Sequence, residues 1–97
     1  MADSWWLYVL DCDGRFYTGV TTDVARRLSE HRQGRSRGAR FTRGAGHITL
    51  VYQVALRDRS EAQQAEARLR RLRRAGKLEV ITAGLDRDEL LVRLGLV

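Results

Sequence analysis

Proline is absent from this sequence and cysteine occurs once, at Cys12. A lone cysteine forms no internal disulfide and supports no zinc-type cysteine spacing, so a reducing compartment is the natural reading. The opening MADSWWLYVL carries no basic stretch, and its apolar run ends at Asp11 after six residues. That excludes a transmembrane span there and argues against a signal peptide. No repeat or low-complexity tail divides the chain, and 97 residues leave room for one core. A single soluble, cytoplasmic domain spanning 1–97, with no membrane association, is expected.

Lysine is nearly missing as well. Seventeen of the 18 basic residues are arginine, against 12 acids, and the formal net charge is +6. A guanidinium meets a phosphate with two parallel donors, so an arginine-rich surface suits a polyanion. A genome that favours arginine codons would give the same composition, so position has to decide.

WWLYVLDC, then Asp13-Gly14, then RFYTGVT reads as a β-hairpin: aromatic and β-branched runs around a dipeptide that accepts positive φ. Thr22 or Asp23 caps a helix to about Gln33, with Val24 and Leu28 on its buried side. GRSRGARFTRGAG, residues 34–46, has no periodicity and reads as loop. HITLVYQVAL is a third strand. Ser60 with Gln63 has the form of a capping box for a helix that turns Ala62, Ala65, Leu69 and Leu72 inward and stops near Gly76. LEVITAG fits either a short helix or an extended return, and DRDELLVRLGLV fits a last short helix capped by Asp86. The expected class is α+β: a small three-stranded antiparallel sheet flanked by helices, in the order β-β-α-β-α and a helical tail. The core is expected over about 6–78, with the tail at 79–97. Large apolar groups on both faces of the hairpin call for cover on both sides.

A two-residue turn at Asp13-Gly14 pairs Cys12 with Arg15, Leu10 with Tyr17 and Tyr8 with Gly19. Tyr8 and Tyr17 then share a face as diagonal neighbours, with open space expected beside the Tyr8 ring where Gly19 has no side chain. A three-residue turn would send them to opposite faces. Arg27 and His31, at i and i+4, stack on one side of the first helix near its buried stripe. The plain alternative pairs Asp23 with Arg27 and leaves His31 as a helix-end residue facing the dipole. Glu66 is the one acid inside an otherwise basic second helix. It either bridges to Arg70 or acts as a lone carboxylate for a divalent cation, since Mg²⁺ keeps several waters and needs few protein ligands.

Tyr17-Thr18-Gly19, an arginine ten residues after Tyr17, a histidine four further on and SEAQQAE ending in Glu66 resemble the GIY-YIG endonuclease superfamily, in particular its small stand-alone bacterial members. The resemblance runs from about Trp6 to Leu78. The first triplet reads WLY, with Trp6 in place of glycine, and the second reads YTG, with Thr18 in place of isoleucine. The resemblance implies catalytic roles for Tyr8, Tyr17, Arg27, His31 and Glu66, with Glu66 holding one Mg²⁺ or Mn²⁺. Both phenols, the guanidinium, the imidazole and the carboxylate are expected around one hollow on one sheet face. The reaction implied is hydrolysis of phosphodiester bonds in DNA, weakly specific or guided by structure, in DNA repair or recombination, with RNA left open as a substrate.

Binding calls on other residues. Arg35, Arg37, Arg40 and Arg43 alternate with glycines in a loop able to wrap a phosphate backbone, and Arg68, Arg71 and Arg74 recur along the second helix. Phe41 either stacks on an unpaired base or pins the loop. Two readings compete with the enzyme: a non-catalytic nucleic-acid-binding module on the same scaffold, and a protein-interaction domain. A protein partner that supplies specificity fits so short a chain.

Overall fold

The hairpin turn sets the register on which the rest of the fold is built. In a computed structural model, which describes residues 4–34 and 46–97, Asp13 and Gly14 have φ of 53° and 92°. Positive φ at both central residues gives a turn whose twist matches that of the flanking strands. Asp11 Oδ1 accepts the Gly14 N–H at 2.7 Å. The Asp13 carboxylate accepts the N–H groups of Gly46 and His47 at 2.6 and 3.0 Å, which ties the turn to the lead-in of the third strand.

Strand β1 (Trp5–Cys12) therefore pairs with β2 (Arg15–Thr21) in the register expected: Cys12 with Arg15, Leu10 with Tyr17, Tyr8 with Gly19. Strand β3 (Ile48–Leu56) lies antiparallel on the other side of β1, so the sheet order is β2-β1-β3. The register shifts between Val9 and Leu10: Tyr52 faces the first and Leu50 the second, with Val51 bulged between them.

Helices cover both faces. Helix α1 (Val24–Gln33) opens on Asp23, whose side chain accepts from the Arg26 N–H, and closes on Gly34 at φ 71°. Its Val24 and Leu28 pack on Tyr8, Leu10 and Cys12. The opposite face, Leu7 and Val9, meets Ala62, Ala65 and Leu69 of α2 (Arg59–Arg71). Val80 of α3 (Arg74–Ala83), Leu90 of α4 (Arg87–Arg93) and Leu94 complete that core. Each fully buried leucine here contributes about 1.5–3 kcal/mol relative to exposure. Residues beyond 79 thus carry part of the main core.

Three local expectations change. Helix α2 begins two residues earlier than a Ser60–Gln63 box would place it: Asp58 is the cap and accepts from the Glu61 N–H. It ends at Arg71, not near Gly76, because Leu72 turns extended at ψ 146°. Gly76 instead lies inside α3, where an added Cβ would stand 3.1 Å from Arg93 Nη2 and 3.3 Å from Leu72 Cβ. This glycine allows close helix packing and ends nothing. LEVITAG is helical to Ala83. Helix α4 carries the full capping box between Asp86 and Glu89. Among the described residues no helix is long and apolar enough to cross a membrane.

Candidate active site at the edge of the sheet

Tyr8 is the starting point. It sits in the middle strand and is 1% exposed, with its ring lying across Gly19 of the neighbouring strand. A Cβ at Gly19 would come within 2.5 Å of the Tyr8 hydroxyl and 2.6 Å of Cζ. The space that the missing side chain was expected to leave open is thus filled by the phenol itself. Alternation puts Tyr17 on the same face, 6.3 Å away between ring centroids.

Helix α1 brings the next two groups. His31 is 1% exposed, and its Nε2 lies 3.0 Å from the Tyr8 hydroxyl. Its ring meets Tyr17 edge-on at 4.8 Å. It stands in the last turn of α1, as the plainer reading had it, yet is buried against both tyrosines. Arg27, one turn earlier, pairs with Glu30 at 3.3 Å and not with Asp23. Its Nε is buried and has no hydrogen-bond partner among the described residues. An unmet buried donor is costly, which makes this guanidinium a place where an acceptor belongs.

Glu66 comes from a different direction. Helix α2 packs on the Leu7 and Val9 face, opposite the one that holds both tyrosines. The site is therefore not confined to one sheet face, as expected, but bridges two. Because β2 is the outer strand, the faces meet at its edge beside Gly19. There a cleft of about 460 Å³ is lined by Tyr8, Tyr17, Arg27 and Glu66 together. Its wall also includes Trp5, Arg59, Gln63 and Arg70, none of which the sequence had assigned to the site. The signal was present: on an ideal helix of about 100° per residue, residues 59, 63 and 70 fall within about 60° of Glu66.

Electrostatics separates the groups. Burial, then the neighbouring Tyr17, push the Tyr8 phenol far above the usual tyrosine range, and the Arg27 guanidinium opposes them. Burial, and next Arg27, lower the His31 pKa and keep the imidazole neutral. Burial raises the Glu66 carboxyl and Arg70 partly offsets it. The Glu66 side chain makes no salt bridge or hydrogen bond among the described residues, and no group of three or more His, Cys, Asp or Glu there could hold a metal.

The arginines expected to bind nucleic acid divide. Arg35, Arg37, Arg40 and Arg43 lie outside the described residues. Arg68 is exposed, and its Nη1 donates to Leu94 O at 3.1 Å. Arg74 donates to Gly14 O at 2.7 Å and stacks over Phe16 at 4.5 Å, fastening α3 to the hairpin. Arg71 is exposed.

A cleft that joins two tyrosines, a helix arginine and a glutamate from a second helix defines a class, and comparison with known families agrees with it. Residues 4–79 match the GIY-YIG catalytic domain, and the chain belongs to that family. Among individual proteins it is similar to the UPF0213 protein of Cronobacter sakazakii, 43% identical over 84 residues and covering 86% of each chain. It is 41% identical over 91 residues to the UPF0213 protein YhbQ of Escherichia coli, covering 93% of this chain and 89% of that one. The solution NMR structure of the UPF0213 protein BH0048 from Bacillus halodurans is similar at 36% identity and a TM-score of 0.54, over 94% of this chain and 96% of that one.

Proposed function

We propose that the protein is a divalent-metal-dependent endonuclease that hydrolyses phosphodiester bonds in DNA. The observation that carries this reading is the convergence of Tyr8, Tyr17, Arg27 and Glu66, far apart in sequence, on one cleft.

Phosphodiester hydrolysis needs an activated water, neutralisation of charge on the transition state and help for the leaving oxygen. Tyr8, kept protonated by burial, cannot serve as a base by ionising beforehand. It takes a proton from water only as it gives up its own. Arg27 has donors alone, so the acceptor for the phenol hydrogen is Nε2 of neutral His31. The proton then moves from water to the Tyr8 oxygen and from Tyr8 to His31. The hydroxide forms its bond to phosphorus while the bond to the 3′ oxygen breaks. Tyr17, edge-on to the imidazole, holds that ring in line. Arg27, which lines the cleft, donates to a non-bridging oxygen through its guanidinium.

Glu66 fits a hard cation. It is a half-buried carboxylate facing the cleft without a salt bridge among the described residues, and one such oxygen donor suits an ion that keeps most of its waters. Mg²⁺ or Mn²⁺ held there would supply Lewis-acid neutralisation of the phosphate and of the leaving oxygen. A cytoplasmic role in DNA repair or recombination, with a partner protein supplying specificity, accords with this activity.

Purified protein incubated with single-stranded, duplex and branched DNA, and with RNA, in Mg²⁺, Mn²⁺ or EDTA tests the proposal. Metal-dependent cutting of DNA that Arg27→Ala and Glu66→Gln abolish is the expected result. Salt-sensitive binding with no cutting under any metal would replace the enzyme by a binding module.

A further inference from the structure

Three polar cleft-lining side chains of α2 have no part in the chemistry above. Arg59, Gln63 and Arg70 stand on the same face of α2 as Glu66 and are exposed. Among the described residues none of them makes a salt bridge or a side-chain hydrogen bond. This sets them apart from Arg68, Arg74 and Arg87, which are engaged with Leu94 O, Gly14 O and Glu61. Arg59 has one contact of note: its guanidinium lies over the Trp5 ring, 5.6 Å from the centroid. Trp5 is itself half-buried against the core and lines the cleft.

We infer that Arg59 and Arg70 form a two-armed clamp for the phosphates on either side of the bond being cut, with Trp5 as the positioning residue that holds Arg59 ready. The kinetic half of this inference rests on the nuclease reading; the binding half does not. At about 1.5 Å of rise per residue, Arg59 stands about 10 Å along the helix on one side of Glu66, and Arg70 about 6 Å on the other. The carboxylate is thus bracketed by two cations on one helix face. A guanidinium stacked on an indole keeps its in-plane N–H donors free while its flat face is immobilised. It therefore meets a phosphate with less ordering cost than a free arginine. The ligand class follows: a polynucleotide with a phosphate on both sides of the scissile one, held by its backbone and not by base edges. A small diester lacking those neighbours occupies the centre and leaves both arms empty.

The test measures fluorescence anisotropy of a labelled single-stranded DNA oligonucleotide in EDTA across a salt series. The variants are Arg59→Ala, Arg70→Ala, Trp5→Leu and Trp5→Phe, with Arg93→Ala as a control that removes the same charge from α4. Loss of one phosphate contact should reduce the slope of log K against log salt by about 0.7 for Arg59→Ala and for Arg70→Ala. Arg93→Ala should leave that slope unchanged. Trp5→Leu should weaken binding with the slope retained, since the charge remains but is no longer held, and Trp5→Phe should restore it. With Mg²⁺, the preference for the oligonucleotide over a small chromogenic phosphodiester, as the ratio of kcat/KM values, should fall about threefold to tenfold in Arg59→Ala. Wild-type slopes in Arg59→Ala and Arg70→Ala would overturn the clamp even if DNA is cut. Reduced slopes with uncut DNA would uphold the clamp and overturn the nuclease. No binding by the wild type overturns both.

Discussion

Glu61 and Glu66 stand on one helix, five residues apart, and the fold treats them in opposite ways. Glu61 is buried and fully engaged. Arg87 donates to both of its oxygens at 2.7 and 2.9 Å, and the Arg57 N–H donates at 2.7 Å. Those bonds, the Arg87 ones foremost, pull its pKa down to about 2. Glu66 is half-buried with no salt bridge among the described residues, and burial pushes its pKa up. About 140° of helix separates the two, so one looks toward α4 and the other into the cleft. A carboxylate whose bonds are all met fastens helices together. One held partly out of water with its bonds unmet is set aside for a ligand.

Exchanging the two roles by mutation gives the largest contrast. Glu66→Gln and Arg27→Ala should each reduce the cleavage rate roughly 10²- to 10³-fold, the usual loss on removing one transition-state contact. Both should unfold at or near the wild-type temperature. Glu61→Gln should cut at close to the wild-type rate. Steady-state cleavage and thermal melts on the same preparations check all three, and a Glu66→Gln protein that cuts at full rate removes the metal assignment.

Gly19→Ala probes the wall between the two regions. With 2.5 Å between the new carbon and the Tyr8 hydroxyl, the phenol must leave its hydrogen bond with His31. Overpacking of this kind costs about 1–3 kcal/mol. The accompanying loss of cleavage should exceed the loss of stability. A Gly19→Ala enzyme with an unchanged rate would show that the Tyr8–His31 contact has no part in the reaction.

Much of this was legible beforehand because short-range rules decide it. Asp13-Gly14 specifies a two-residue turn, the turn fixes the register, and the register puts both tyrosines on one face. Helical periodicity likewise put His31 near the buried stripe of the first helix, while leaving open a helix-end role facing the dipole. What could not be read was how elements meet across the sheet. Nothing local in SEAQQAE tells that α2 covers the opposite face, so the site lies at an edge and not on a face. The arginines show the same limit. A run such as RLRRLRRAGK gives charge without direction, and only packing reveals that Arg68 and Arg74 turn to backbone carbonyls while Arg70 faces the cleft.

Glu61→Gln, neutral for activity, should still weaken the fold. It loses the charge in bonds that join α2, α4 and the end of β3. Hydrogen bonds to charged groups contribute about 1.5–3 kcal/mol each, and glutamine keeps part of that, so about 1.5 kcal/mol is expected. For a domain of this size that is roughly 6 to 12 °C in melting temperature. Differential scanning calorimetry reads it directly.

The finest test is in acid, where the groups have opposite signs. Glu61 has its folded-state pKa depressed to about 2, so its stabilisation is present above the ordinary carboxyl value of 4.5 and fades as pH falls toward 2. His31 is also lowered; its unfolded form protonates first, near 6.5, so stability begins to fall as pH drops below that value. Glu66 is raised, and its contribution is present below 4.5 and lost as pH climbs through the higher folded-state value. At neutral pH the ionised Glu66 therefore burdens the fold that holds it. Melting curves against pH, without metal, should show two acid losses. His31→Gln should remove the upper one and Glu61→Gln the lower. Glu66→Gln should instead melt slightly higher than wild type at neutral pH. A lower melt would mean that Glu66, like Glu61, is a fastener, and the contrast between the two carboxylates would vanish.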